Sequence, residues 1–74
     1  MKTKLPRFVI EFCWSGRPIE LGTVEARDPQ CALILAMHRS RPDIADEISI
    51  QNVEGKELLR KRVQPVRAVG ELLP

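Results

Sequence analysis

The chain has 74 residues, of which 43% are hydrophobic and 30% are charged, a composition typical of a soluble globular domain and not of a disordered or membrane-embedded chain. Twelve Lys and Arg residues against ten Asp and Glu residues give a formal net charge of +2, which allows an anionic partner without requiring one. So short a chain has no room for a deep active-site cleft, which weighs against an independent enzyme.

We expect residues 1–74 to form a single small domain, with an ordered core at about 7–63 and a C-terminal tail at 64–74. The basic N-terminus is followed by alternating rather than continuous apolar residues, unlike a signal peptide, and no stretch is long enough for a membrane span. Two cysteines, Cys13 and Cys31, are too few for a disulfide scaffold. These features predict a reducing, cytoplasmic setting without membrane association.

Apolar residues occupy every second position of the first predicted strand, the period of a strand with one face on a core. They are Phe8, Ile10, Phe12 and Trp14. We expect all three aromatic side chains on the buried face, which leaves the open face to polar residues such as Glu11, Glu20 and some basic residues of the last strand. Sheets that bind RNA normally carry stacking aromatics on their open face, so this pattern disfavours RNA binding by the sheet.

Turn-forming residues at Ser15–Pro18 predict a hairpin with a four-residue loop, and its second strand is expected to end near Arg27. We expect a one-residue bulge at Gly22, because glycine tolerates bulge geometry best. The resulting cross-strand pairs are Trp14 with Ile19, Phe12 with Leu21, Ile10 with Val24, and Phe8 with Ala26.

Asp28 and Pro29 predict the start of a helix, because the aspartate oxygen accepts from free backbone amides and proline fits the first helical position. The helix is expected to run to about Arg39. Cationic residues suit its negative end, and Pro42 disfavours a continuation.

The second half of the chain predicts another hairpin. A connector at Asp43–Asp46, anchored by Ile44, leads to a strand at Glu47–Gln51. The loop at Asn52–Lys56 contains a glycine, and the last strand spans Glu57–Val63.

These elements predict an α+β fold. Two strands, a helix and two strands form a ββαββ order, and a right-handed return from the helix places the third strand beside the first. The result is a two-layer sandwich: a four-stranded antiparallel sheet of order 2-1-3-4 with the helix on one face.

The helix carries more apolar residues than one buried stripe requires. Leu33, Ala36 and Met37 form one face at 3.6 residues per turn. A second face is predicted to be the partner-binding surface: Cys31, Ile34, Leu35 and His38. Either the apolar tail covers this face, or it binds a protein partner or a second copy of the chain.

Basic residues suggest an alternative function in RNA or DNA binding through phosphate contacts. They are Arg39, Arg41, Arg60, Lys61 and Arg62. The competing interpretation is that charges on the last strand protect an exposed sheet edge. The sequence leaves open whether Leu58 or Leu59 faces the core, and this choice decides which sheet face carries the basic residues.

Neither catalysis nor cofactor binding is predicted, and we expect no metal and no small-molecule substrate. His38 is the single histidine, which excludes the usual metal sites within one chain. Cys13 lacks a predicted base partner. The acidic residues Asp43, Asp46 and Glu47 lack the alternating spacing of a calcium loop.

The segment Val24–Asp28, followed by Ala32 and Leu33, resembles the strand-to-helix passage of two families of small proteins. It is similar to the small B subunit of phenylacetyl-CoA oxygenases, and the predicted two-layer fold is similar to those of small phage-borne inhibitors. The segment also resembles archaeal ribosomal proteins of the LX type, in which a strand like Ile48–Ile50 follows. The resemblance covers about half of the chain and implies a fold, with no functional residue carried over. We therefore expect a non-enzymatic interaction module: an accessory subunit, a small regulator or an inhibitor.

Overall fold

The computed structural model describes residues 4–38 and 41–65. Its elements in chain order are β1 (Arg7–Trp14), β2 (Arg17–Glu25), α1 (Pro29–His38), β3 (Glu47–Gln51) and β4 (Glu57–Arg62). The strands form one antiparallel sheet of order β2-β1-β3-β4, which confirms the predicted ββαββ fold. The predicted tail beyond residue 65 and Arg39 lie outside the described residues.

The core lies between α1 and one face of the sheet. Its strand residues are mostly the alternating apolar residues of β1 and β3, and α1 contributes Leu33 together with two alanines. Small residues on the helix allow its backbone to approach the sheet closely. The buried apolar residues of this core are Phe8, Ile10, Phe12, Val24, Ala26, Ala32, Leu33, Ala36, Ala45, Ile48 and Ile50.

The first hairpin has a two-residue turn rather than the predicted four-residue loop. Ser15 has φ 51° and Gly16 has φ 78°, the left-handed conformations of the turn whose twist matches a tight hairpin. Trp14 therefore pairs with Arg17. The structure describes β2 as ending at Glu25, two residues before the predicted end.

The predicted bulge position is also wrong. Cys13 pairs with Pro18 and Phe12 pairs with Glu20, so the extra residue is Ile19. The predicted pairs of the first hairpin are replaced, because the shorter turn and the earlier bulge change the register. The observed pairs include Glu11 with Leu21, Ile10 with Gly22, and Phe8 with Val24.

The bulge decides which face of the sheet each β2 side chain occupies. Glu20 lies opposite the buried Phe12, and directly paired residues share a face, so Glu20 lies on the helix side and not on the predicted open face. Trp14 follows the buried alternation but is 38% exposed, because it flanks the turn at the end of the strand. Two of the three aromatics are thus core residues.

The connector before β3 joins three parts of the sheet through Asp46. Its amide donates to the Cys13 carbonyl at 2.9 Å, and its carbonyl accepts from the Val63 amide at 2.9 Å. Its side chain accepts from the Ser15 amide at 3.2 Å. The buried anchor of the connector is Ala45 and not Ile44, which is only half-buried.

In the second hairpin, β3 has the predicted bounds, and β4 ends at Arg62, one residue before the predicted Val63. Asn52 Oδ1 accepts hydrogen bonds from the amides of Glu54 and Lys56, both at 2.9 Å, and Gly55 has φ 90°. Leu59 pairs with Ile50 on the helix side, while Leu58 is an extra residue in the ladder. Leu59 is therefore the core-facing leucine.

Candidate functional site

The helix begins as the sequence predicts. The Cys31 amide donates to Asp28 Oδ1 at 2.8 Å, and the Ala32 amide donates to the Asp28 carbonyl at 3.0 Å. The hydrogen bonds from Cys31 hold the pKa of the Asp28 carboxyl below its ordinary value. This cap fixes where α1 starts and hence which of its side chains face the sheet.

The structure divides the predicted partner-binding face of the helix into two parts. Ile34 is 53% exposed, and His38 is also exposed. Cys31 and Leu35 are half-buried and pack against the core. Only Ile34 therefore presents a largely exposed apolar side chain among these four residues.

A groove with both apolar and polar lining lies between α1 and the edge strand β2. Its volume is about 330 Å³, and we call it the edge groove. Leu35 and Ala36 line it from the helix, while Ile10 and Phe12 line it from β1. The β2 residues that line it are Glu20, Leu21, Gly22, Thr23 and Val24.

Gly22 keeps this groove open. It lies opposite Ile10 on the helix side of the sheet, and a Cβ atom built on it would meet no atom within 4 Å. The missing side chain leaves a space between Glu20 and Val24 on the same face. The sequence analysis predicts a bulge at Gly22, whereas the ladder is regular there and the φ of this glycine is not positive. The role of Gly22 in the groove is therefore not predicted from the sequence.

The open face of the sheet, opposite α1, carries a hydrogen-bonded polar cluster that sequence reasoning also missed. Ser49 is fully buried, and its hydroxyl donates to Glu57 Oε1 at 2.6 Å. Arg60 Nε donates to the same carboxylate at 2.8 Å, and Arg60 also pairs with Glu47 at 2.5 Å. Gln51 Nε2 donates to the Ser49 hydroxyl at 3.2 Å. The polar alternation of β3 is the sequence signal that could have indicated this cluster.

The electrostatics of this cluster favour its ionised form. The hydrogen bond from Ser49, together with Arg60, lowers the pKa of the Glu57 carboxyl. The hydrogen bond to Glu47, together with Glu57, raises the pKa of Arg60. The positive charge of Arg60 is thus already matched by two carboxylates, and Arg60 itself is partly exposed to solvent.

Four of the five basic residues of the nucleic-acid alternative are described by the structure, and the three on β4 are divided between the two faces of the sheet. Arg60 and Arg62 lie on the open face, whereas Lys61 pairs with Ile48 on the helix side. Arg41 donates a hydrogen bond to the Gln64 carbonyl. Arg39 is outside the described residues. A continuous phosphate-binding surface would need these cations on one side of the molecule.

Cys13 is buried on the open face beside Glu11. Its Sγ lies 3.7 Å from a carboxylate oxygen of Glu11. Burial, and then the negative charge of Glu11, raise the pKa of the Cys13 thiol. Nucleophilic cysteines need the opposite effect, a lowered pKa, so this environment does not activate the thiol. Cys13 and Cys31 are both free thiols.

Within residues 4–38 and 41–65, no group of three His, Cys, Asp or Glu side chains is arranged to hold a metal ion. No helix in that part of the chain has the length and hydropathy needed to cross a bilayer. Comparison of the whole chain with protein-family models, curated proteins and solved structures yields no match.

Proposed function

We propose that this chain is a non-enzymatic protein-interaction module of the cytoplasm. The proposal is carried by the edge groove beside the edge strand β2, together with the exposed apolar side chain of Ile34 on α1. Edge strands with an adjoining apolar groove are a recurrent way to bind an extended or folded protein segment. The two free cysteines support the reducing setting.

Nucleic-acid binding is the less supported alternative. Arg60 is paired with Glu47 and Glu57, and Lys61 lies on the other side of the sheet from its neighbours. The exposed apolar side chains of Leu21 and Ile34 would contribute little to phosphate binding, which depends on cations. The apolar surface therefore favours a protein partner.

Affinity capture with a matched pair of helix variants tests the proposal. The wild-type chain, Ile34→Lys and Gln30→Lys are immobilised and exposed to nuclease-treated extract of cells that express the chain. Gln30 is also an exposed helix residue, so it controls for the added charge. A protein captured by the wild type is then purified and titrated directly against all three chains.

The expected result is a protein whose affinity falls at least about tenfold with Ile34→Lys, because burying an aliphatic side chain contributes roughly 1.5–3 kcal/mol. The Gln30→Lys chain should bind like the wild type, and binding should survive high salt. Capture that occurs from a parallel sample of untreated extract, but is abolished by nuclease treatment or moderate salt, would instead favour nucleic acid. Equal loss with both variants would contradict the assigned surface.

A further inference from the structure

The two edges of the sheet differ in their protection against pairing with another strand. On β4, Leu58 is an extra residue in the ladder, and Arg60, Lys61 and Arg62 follow it. Bulges, charges and short edge strands are the usual means of preventing edge-to-edge association. The edge formed by β4 is therefore well protected.

The other edge strand, β2, is protected only in its first half. Pro18 and the bulge at Ile19 interrupt residues 17–20. Residues 21–25, which we call the regular segment of β2, pair with β1 without interruption. This segment contains no proline and no lysine, and its single charged residue is Glu25 at its end. Leu21 is 66% exposed.

The backbone of the regular segment directs a symmetric set of hydrogen-bonding groups away from the sheet. The Ala26 amide donates to the Pro6 carbonyl at 3.0 Å, so Ala26 bonds inwards, towards the chain that precedes β1. Backbone groups of an antiparallel strand alternate between its two sides. Leu21, Thr23 and Glu25 therefore direct their N–H and C=O groups outwards, with Thr23 at the centre.

This arrangement is complementary to itself. Antiparallel pairing of two regular segments about Thr23 brings Leu21 of one copy opposite Glu25 of the other, and all the outward groups then bond in register. On the helix side, Val24 of one copy lies opposite Gly22 of the other. The larger side chain thus adjoins the space that the glycine leaves open at the edge groove.

Charge does not oppose this pairing. Glu25 is the single charged residue of the regular segment, and its carboxylate is already paired with Arg7 at 3.3 Å. Opposite it stands the uncharged Leu21 of the other copy. Like charges directly opposite each other, which destabilise strand pairing, do not occur in this register.

We infer that the partner of the regular segment is a second copy of this chain, and that the two β2 strands join their sheets into one continuous eight-stranded sheet about a two-fold axis at Thr23. The inference rests on the proposed function and specifies its partner. Such a dimer is isologous, with the same patch contributed by both copies. It also places both helices on the same face of the joined sheet.

The test is the solution mass across a concentration series, measured by sedimentation on the wild type, Thr23→Pro, Leu21→Lys and Leu58→Lys. Proline at position 23 removes an outward amide, which an edge strand tolerates when that amide faces solvent. Leu21→Lys adds the charge that usually protects an edge. Leu58 is an exposed leucine on the opposite edge, so Leu58→Lys is the matched control.

We expect a wild-type dimer that Thr23→Pro and Leu21→Lys convert to folded monomer, while Leu58→Lys leaves it unchanged. Circular dichroism checks that each variant is folded. If Thr23→Pro does not fold, Leu21→Lys alone tests whether the dimer forms through the regular segment of β2. Thr23→Cys should also form a disulfide across the axis on oxidation, which Leu58→Cys should not.

A wild-type chain that is monomeric at all concentrations overturns the inference, as does a dimer that only Leu58→Lys dissociates. Neither result contradicts the proposed function, because capture of a different protein through Ile34 is measured separately. Conversely, Ile34→Lys is measured in the same series. A dimer that this substitution leaves intact, when no other protein is captured, supports the inference and contradicts the assignment of Ile34 to the binding surface.

Discussion

Gly22 and Ile10 lie directly opposite each other in the ladder between β1 and β2, and the glycine offers no side chain to cover the isoleucine. The edge groove is open at this point because Gly22 has no side chain to fill the space beside Ile10. Glycine in a strand interior also lowers stability, because glycine loses more conformational entropy on folding than any other residue. The position therefore retains an open groove at a cost in stability.

Replacing Gly22 by alanine should raise the free energy of unfolding by about 0.5–1 kcal/mol. The added Cβ meets no atom within 4 Å, and the backbone at this position is not left-handed. Urea denaturation of the two chains measures the difference. Gly16→Ala is the control, because Gly16 has φ 78° and the same substitution there should be destabilising. A loss of stability at position 22 comparable to that at position 16 would contradict this account.

Asp28→Asn should lower the stability of the fold at neutral pH, because the pKa of the Asp28 carboxyl is held down by its hydrogen bonds from Cys31. The folded state therefore binds the proton less tightly than the unfolded state. The stabilisation that the Asp28 carboxylate contributes is fully present above its pKa in the unfolded chain, about 3.9. It is lost as the pH falls through the lower pKa of the same group in the folded chain.

Urea denaturation at several pH values measures this difference. The gap between the wild type and Asp28→Asn should be present above about pH 4 and should close at more acidic pH. Asp28→Ala, which also loses the neutral cap, should remain less stable than the wild type throughout. A gap that does not depend on pH would show that the carboxylate charge is not involved.

Ser49→Ala should destabilise the fold by about 1 kcal/mol, the usual net contribution of one hydrogen bond. It should also raise the pKa of Glu57 towards its ordinary value, because the Ser49 hydroxyl is the main cause of its lowering. NMR titration of the Glu57 side chain reports this change directly. The stabilisation linked to Glu57 should be lost as the pH falls below about 4.3 in the wild type, and this loss should be smaller in Ser49→Ala.

Cys13 should react with iodoacetamide at neutral pH several-fold more slowly than Cys31 in the folded chain. Burial and the neighbouring Glu11 raise its pKa, and both effects reduce the population of reactive, accessible thiolate. Peptide mapping by mass spectrometry gives the two rates separately. In urea the two rates should become similar. Faster modification of Cys13 in the folded chain would contradict the described environment and would reopen a catalytic role for this thiol.

Ala45→Leu should cost about 1–3 kcal/mol, because it inserts extra methylene groups into a close-packed site. Ala45 is fully buried in the connector before β3. Ile44→Ala should cost less, since Ile44 is only half-buried and its truncation leaves no enclosed cavity. Thermal unfolding of both variants compares the two positions. The reverse order of stability would make Ile44 the anchor.

Patterns in the sequence were sufficient to predict the elements, their order and the class of the fold. Alternating apolar residues in Phe8–Trp14, the cap at Asp28 and the turn residues at Asn52–Lys56 are local signals, and their physical basis lies within a few residues of the chain. The sheet order followed from the handedness of chain connections. These parts of the prediction agree with the structure because local signals and one general rule of handedness are sufficient to predict them.

The strand register, and the side-chain faces that follow from it, required knowledge of contacts between distant parts of the chain. A single extra residue reverses the side-chain faces beyond it, so placing the bulge at Ile19 instead of Gly22 moved Glu20 to the helix side. It also revealed the opening at the edge groove. Leu59 rather than Leu58 faces the core for the same reason, since the β4 ladder has its own extra residue. Propensity and period cannot locate such shifts, because the packing of both faces selects between registers that are locally almost equal in free energy.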